Sequence, residues 1–345
     1  MSYANPNIKA MKSYTPPLKG RRKFNGYLLD FNERTISPNN KVRKALADYM
    51  KTGRLEIYPE YGDLTKRIGD YAEVQSNQVM ITNGSDQGID LIFRTFTSKD
   101  DEVIIPSPSF AMFYQCAEIM ENKIITPKYK DDGNFPSDEI LKSITDKTKL
   151  IVICNPNNPT GTLIGISEIE MIAKRAPKAI VYIDEAYFEF SQVTATGLIN
   201  KYPNVVITRT FSKAFGLPSL RIGYVISNKQ LINEILKVRG PYDISMPAYI
   251  GATESLRDLQ DLKGYVREVM KGSKPMVEEY FNQEMIEYLP SGGNFILFKS
   301  NKKIAKTLDE KGYRLRPQKN NWLRLSIGTI SQMESLLKTF NQISS

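Results

Sequence analysis

The chain has 345 residues, 41% hydrophobic and 25% charged, with 47 Lys and Arg against 38 Asp and Glu for a formal net charge of +9. It contains no histidine, which excludes an imidazole base and any His-ligated metal and leaves acid–base work to Lys, Tyr, carboxylates, Cys or a cofactor. No apolar run approaches the ~18 residues of a membrane span, and the basic excess is spread along the chain without a nucleic-acid motif, so an anionic small substrate is the reading it supports.

Residues 1–30 are rich in Pro, Lys, Tyr and Gly and carry the one dense basic cluster, "KGRRK" (19–23). They predict an extended arm, and they lack the apolar core of a signal peptide. From about 62 to 240 helix-like segments ("DLTKRIGDYAEV", "SDQGIDLIFRTF", "SEIEMIAKRA") alternate with short apolar runs: "QVMI", "EVIIP", "KIITP", "KLIVIC", "AIVYI", "NVVIT" and "IGYVIS". Near-continuous apolar strands between helices predict a mostly parallel sheet covered on both faces. Residues 31–240 therefore read as a large α/β domain. After "NKQLINEILKVRGPY" the texture changes to a long helical stretch (247–284), "GGNFILFK", the helix "KKIAKTLDEKG", "LRLSIG" and a last helix. Residues 241–345 read as a smaller α+β domain to which the N-terminal arm can return. Cys116 and Cys154 lie in apolar surroundings without metal-ligand spacing, which predicts buried thiols, a reduced cytoplasmic setting and no metal.

In an open parallel α/β sheet, functional groups gather past the C-terminal ends of the strands. Here "QVMI" leads into "TNGSDQG", "KLIVIC" into "NPNNPTG", "AIVYI" into "DEAY" and "NVVIT" into "RTFSK". Taken singly, each has an ordinary explanation. The first is a capped helix start, the second a turn-rich loop, the third charges at a strand end, and Lys213 a snorkelling lysine. Their coincidence on one edge is the signal. A pyridoxal phosphate site needs a partly desolvated lysine for the cofactor aldehyde and a carboxylate for its pyridine nitrogen. It also needs a donor to its phenolic oxygen and a helix N-terminus with hydroxyls and a guanidinium for its phosphate. Lys213, Asp184, Tyr187 and Asn158 supply the first three needs; Ser85, Ser212 and Arg221 supply the phosphate cup.

"TRTFSKAFGLPSLRIGY", "YIDEAY", "NPNNPTG" and "TNGSDQGI" together resemble the fold-type I PLP-dependent aminotransferases, and among them the histidinol-phosphate aminotransferase family. The likeness extends over "IYPEYG" (57–62), "GGNFIL" (292–297) and "RPQKNNWLRLSIGT" (316–329). It implies the PLP-transferase fold type I and pyridoxal 5'-phosphate as cofactor. Lys213 would form the internal aldimine and shuttle the proton between Cα and C4′. Asp184 would pair with the pyridine N–H, Asn158 and Tyr187 would hold O3′, and Ser85, Asp86, Ser212 and Arg221 would bind the phosphate. Tyr58 would reach the phosphate of the neighbouring subunit's cofactor in a homodimer. Arg324, assisted by Arg316, would grip the substrate's carboxylate or phosphate.

Three stretches depart from the family's pattern. The ring that stacks on the cofactor aligns with Phe113, beside Tyr114, where a Tyr is usual. "FNERT" (31–35) stands in place of the usual N-terminal motif, and "PYDISM" (241–246) puts Asp243 where Asn is common. Tyr14 in "SYTPPLKGRR" is placed to reach a phosphate in the partner's site. The resulting expectation is histidinol-phosphate:2-oxoglutarate transamination. The alternatives are an aromatic amino acid aminotransferase and a threonine-phosphate-type PLP decarboxylase. A PLP-fold regulator is disfavoured because residues 1–60 hold no helix-turn-helix pattern.

Overall fold

The computed structural model describes residues 3–300 and 302–344. In chain order the strands are β1 (Tyr27–Leu29), β2 (Val79–Thr82), β3 (Glu102–Ile104), β4 (Lys123–Ile125), β5 (Thr148–Cys154) and β6 (Ile180–Asp184). They continue with β7 (Val205–Thr210), β8 (Gly223–Ser227), β9 (Tyr288–Leu289), β10 (Phe295–Lys299), β11 (Tyr313–Pro317) and β12 (Trp322–Ser326). One sheet has the order β2-β8-β7-β6-β5-β3-β4, the other β1-β11-β12-β10-β9.

All seven apolar runs read from the sequence enter the larger sheet. Val, Ile and Leu side chains on β5, β6 and β7 alternate between its faces, because successive residues of a strand point to opposite sides. Ile151, Ile153, Val181, Ile183 and Ile207 join a core on one face. Leu150, Val152, Tyr182 and Val206 join a second core on the other, under the helices Gly84–Phe96 and Ala111–Ile119. Strands β4, β3, β5, β6 and β7 run parallel. β8 is antiparallel to both β7 and β2. Only the loop 211–222 separates β7 from β8, so no crossover helix is present to make them parallel.

The smaller sheet recruits β1 from the N-terminal arm, which pairs in parallel with β11, Leu28 opposite Arg314. The helical stretch expected over 247–284 is broken. Met246–Arg257 ends before Asp258, and Gln260–Glu268 continues through a π-turn (Val269–Ser273) into Lys274–Gln283. Met246–Arg257 packs on the helices Asn40–Thr52 and Leu64–Ala72. Among the described residues no helix is long and apolar enough to cross a membrane, and no cluster of metal-ligating side chains is present. Both cysteines are buried and unbridged. Burial pushes the Cys116 thiol up to about 12 and holds Cys154 well above its usual value.

Candidate active site

Strand direction gathers the site. β5, β6 and β7 end at one edge, with Cys154 opposite Asp184 and Asp184 opposite Thr208. Because β8 runs the other way, its first residue, Gly223, lies at that same edge opposite Thr210 and Thr82. Residues after β2, β5, β6 and β7 and those before β8 therefore converge, which is where an α/β sheet places its ligands.

Asp184 is 3% exposed. Its Oδ1 accepts from the Ala186 N–H and from the Thr208 hydroxyl, both at 3.2 Å. With the Thr208 proton spent on Asp184, the Tyr182 hydroxyl donates to Thr208 at 2.7 Å. Desolvation outweighs these bonds and pushes the carboxyl up to about 7, so its ionised form calls for a cationic N–H partner. Tyr187 is also buried, and its hydroxyl accepts from Asn32 Nδ2 at 2.9 Å. Burial holds the phenol above its usual range, so it stays protonated and keeps its own hydrogen to donate. Asn158 Oδ1 accepts from Arg324 Nη1, leaving the Asn158 amide N–H groups as donors. Lys213 is half-buried, donates to the Phe31 carbonyl at 2.7 Å, and lies 5.7 Å from the centre of the Tyr187 ring. Desolvation, then the charge of Arg324, lowers its amine to about 8.

The residues expected to bind a phosphate lie at the same edge. Helix Gly84–Phe96 opens with Ser85 and Asp86, whose early N–H groups lack intrahelical acceptors. Arg221 spans the mouth, with Nη2 on Asp86 Oδ2 at 2.8 Å and Nη1 on Ser212 Oγ at 3.5 Å. A side chain at 84 would be strained, because φ is +68°, and its Cβ would displace Arg221 Nη2, which lies 2.4 Å away.

The segment 31–35, which departs from the family's pattern, carries Asn32, to which the sequence assigned no role. Asn32 is fully buried with φ +54°. Its N–H donates to Ser326 Oγ at 2.8 Å, its Oδ1 accepts from that hydroxyl at 3.0 Å, and its carbonyl accepts from Asn294 at 3.2 Å. With the bond to Tyr187, every polar group of Asn32 is used. The neighbouring carbonyl of Asp30 accepts from Arg324 Nη2 at 2.6 Å. Arg324, 7% exposed, keeps a buried Nε without a partner, and Arg316 stands opposite it across β11 and β12. The pairing sets two guanidinium side chains next to one another on adjacent strands.

Phe113 requires a correction. It is fully buried and lies edge-on to Tyr182 at 5.9 Å and to Phe110 at 5.7 Å, within the core under the sheet. The helix begins at Ala111, so Phe113 is a full turn inward. Phe110 is half-buried at the helix start, next to Ser109, whose hydroxyl donates to Asn157 in the loop after β5 at 2.9 Å. Tyr14 lies on the arm and is 40% exposed. Tyr58 is 70% exposed and stacks on the exposed Tyr242 with ring centres 4.2 Å apart. Asp243 offers its carbonyl to Asn83, beside the phosphate helix, at 3.0 Å.

These residues fit pyridoxal 5'-phosphate. The set comprises a depressed amine, a buried carboxylate needing an N–H cation, two donors for a phenolic oxygen, and a helix start faced by an arginine. Residues 24–340 match the aminotransferase class I and II family. The histidinol-phosphate aminotransferase of Ruminiclostridium cellulolyticum is 34% identical over 322 residues, 90% of either chain. That of Methanocaldococcus jannaschii is 31% identical over 361 residues, covering 97% of this chain and 96% of its own. The crystal structure of histidinol-phosphate aminotransferase from Sinorhizobium meliloti in complex with pyridoxal-5'-phosphate shares the fold. Its TM-score is 0.87 over 98% of this chain and 96% of that one, at 21% identity.

Proposed function

The chain belongs to the class I and II aminotransferases, among the histidinol-phosphate aminotransferases, and from that membership we propose that it moves an amino group between histidinol phosphate and 2-oxoglutarate. The observation that carries the substrate reading is the Arg316–Arg324 pair, whose unpartnered buried donor suits a dianionic phosphate or a carboxylate. Bound pyridoxal 5'-phosphate supplies an electrophilic carbonyl and a protonated ring that accepts electron density.

The chain's own residues do the rest. Lys213, with its amine lowered to about 8, is neutral often enough near pH 7 to attack a carbonyl and to carry a proton to and from the substrate carbon. Asp184 holds a ring N–H and keeps its proton in place. Tyr187 and Asn158 donate to the phenolic oxygen, and Ser85, Asp86, Ser212 and Arg221 hold the phosphate. Arg324 and Arg316 seat the substrate's anion, so that glutamate and histidinol phosphate use one clamp in turn. The protein works as a homodimer in which exposed Tyr58 reaches the neighbouring phosphate and Tyr14, on the exposed arm, reaches the partner's site.

The test is a half-reaction screen. Protein loaded with cofactor should lose its visible absorbance band on addition of histidinol phosphate or glutamate, and histidinol without the phosphate should be far weaker. Preferential turnover of aromatic amino acids would assign the aromatic aminotransferase reading instead. Release of CO2 from phosphothreonine would assign the decarboxylase. Arg324→Ala should raise KM for histidinol phosphate with the band intact; an unchanged KM removes Arg324 from the site.

A further inference from the structure

Arg21, in the turn Arg21–Lys23 of the N-terminal arm, was assigned no role by the motifs. Its side chain is 10% exposed and fully engaged. Nε donates to Asp30 Oδ2 at 3.2 Å and Nη2 to Asp30 Oδ1 at 2.8 Å. Nη1 donates to Glu33 Oε1 at 3.2 Å, and Nη2 also reaches Glu33 Oε2. The guanidinium lies 4.2 Å from the centre of the Phe31 ring, which Arg316 approaches at 5.5 Å. The main chain of the same residues faces the site: Asp30 O accepts from Arg324, and Phe31 O from Lys213.

This corner therefore holds two acids, Asp30 and Glu33, amid five cations: Arg21, Arg314, Arg316, Arg324 and Lys213. If either acid turned to the substrate arginines it would compete with the substrate's anion. We propose that Arg21 is a positioning residue for amino-group transfer that sequesters Asp30 and Glu33, keeping Arg316 and Arg324 free of a carboxylate partner for the substrate and fixing the carbonyls that hold Lys213 and Arg324. A bidentate hold on each of two carboxylates is geometry that Lys could not reproduce. The charged and titratable groups bearing on Lys213 are Arg324, Glu33, Asp86 and Asp184, with the Tyr187 ring beside it. Of the acids, Glu33 acts on it most strongly.

This inference rests on the reading of the site as a PLP transaminase centre. If no visible band forms with pyridoxal 5'-phosphate, that reading fails; if the band forms, the Arg21 variants test the inference by itself. In Arg21→Ala the released Glu33 carboxylate should raise the pH midpoint of the band. It should also raise KM for histidinol phosphate about two- to fivefold, the effect of one competing ion pair. Glu33→Gln alone should lower the pH midpoint, since one anion near Lys213 is removed. The double variant Arg21→Ala/Glu33→Gln should recover KM most of the way to the parent value. Rescue by the second substitution is an outcome a purely structural arginine would not give. If Arg21→Ala leaves KM and midpoint unchanged, or Glu33→Gln fails to rescue it, the proposal is overturned. If Arg21→Ala does not fold, the Glu33→Gln midpoint decides, and no downward shift overturns it.

Discussion

Lys213 Nζ donates to the Phe31 carbonyl at 2.7 Å, joining residues 182 positions apart. The bond brings the segment after β1 against the loop between β7 and β8, so the reactive amine is anchored by the strip of chain that leaves the smaller sheet. A single carbonyl does not keep the amine charged. Desolvation and Arg324 lower it to about 8, which sets a kinetic expectation. Capture of pyridoxal 5'-phosphate by the cofactor-free protein should accelerate as pH rises through about 8 and level off above it, because the neutral amine is the nucleophile. Stopped-flow absorbance measures it, and Lys213→Ala should show no such phase and no visible band. A borohydride-reducible adduct in that variant would refute the assignment.

Asp184 and Glu189 give a stability prediction of opposite kind to the familiar acid denaturation. Both carboxyls are pushed up to about 7 by burial, and Glu189 is only partly offset by Arg209. Between their unfolded values near 4 and about 7 the folded protein holds protons that the unfolded chain has lost. Stability is therefore full at the acid end of this window and declines as pH rises through it, by up to ~1.4 kcal/mol per pH unit for each group. Loading with pyridoxal 5'-phosphate should remove the Asp184 share, since a ring N–H keeps that carboxylate ionised. Asp184→Asn should flatten the cofactor-free curve in the same way. Urea midpoints at several pH values with and without cofactor measure both, and a slope unaltered by either change would remove Asp184 from the ring-nitrogen role.

The seven strands of the large sheet were legible because each is a short apolar run closed by a polar loop, and the strand ends and loops carried Asp184, Lys213 and Asn158 with them. What escaped was set by tertiary contact. β1 is three residues long and has no alternation to read; it exists because β11 offers an edge. Asn32 follows it with no local signal of a site except that Asn tolerates a left-handed backbone. Its partners Ser326, Asn294 and Tyr187 come from distant parts of the chain. The break at Asp258 was hidden because helical composition continues through it.

Asn32 should accordingly be sensitive in two separable ways. Asn32→Gly accepts the φ of +54° but loses the side-chain bonds to Tyr187 and Ser326. Asn32→Ala loses them and is strained as well, for a total cost of about 2–4 kcal/mol. Thermal denaturation should rank the glycine variant above the alanine variant. Both should show the same shift in the visible band, because each leaves the Tyr187 hydroxyl without its donor. Bands identical to the parent's would mean that Asn32 serves the fold alone.

Phe110 and Phe113 are one helical turn apart and predict opposite phenotypes. Phe113 packs with no exposure against Tyr182, whose hydroxyl supports Thr208 and through it Asp184. Phe113→Ala should leave a cavity under the sheet and cost ~3–5 kcal/mol of stability. Cofactor affinity should change far less once the protein is folded. Phe110 stands half-buried at the start of the helix Ala111–Ile119 with a ring edge on Phe113. Phe110→Ala should weaken pyridoxal 5'-phosphate binding about tenfold through lost ring contact, with little loss of stability in the cofactor-free state. Phe110→Tyr should keep that affinity. Equilibrium dialysis against the cofactor, paired with urea denaturation of the cofactor-free variants, separates the two residues. A Phe113→Ala protein that is stable but binds cofactor poorly would return the stacking role to Phe113.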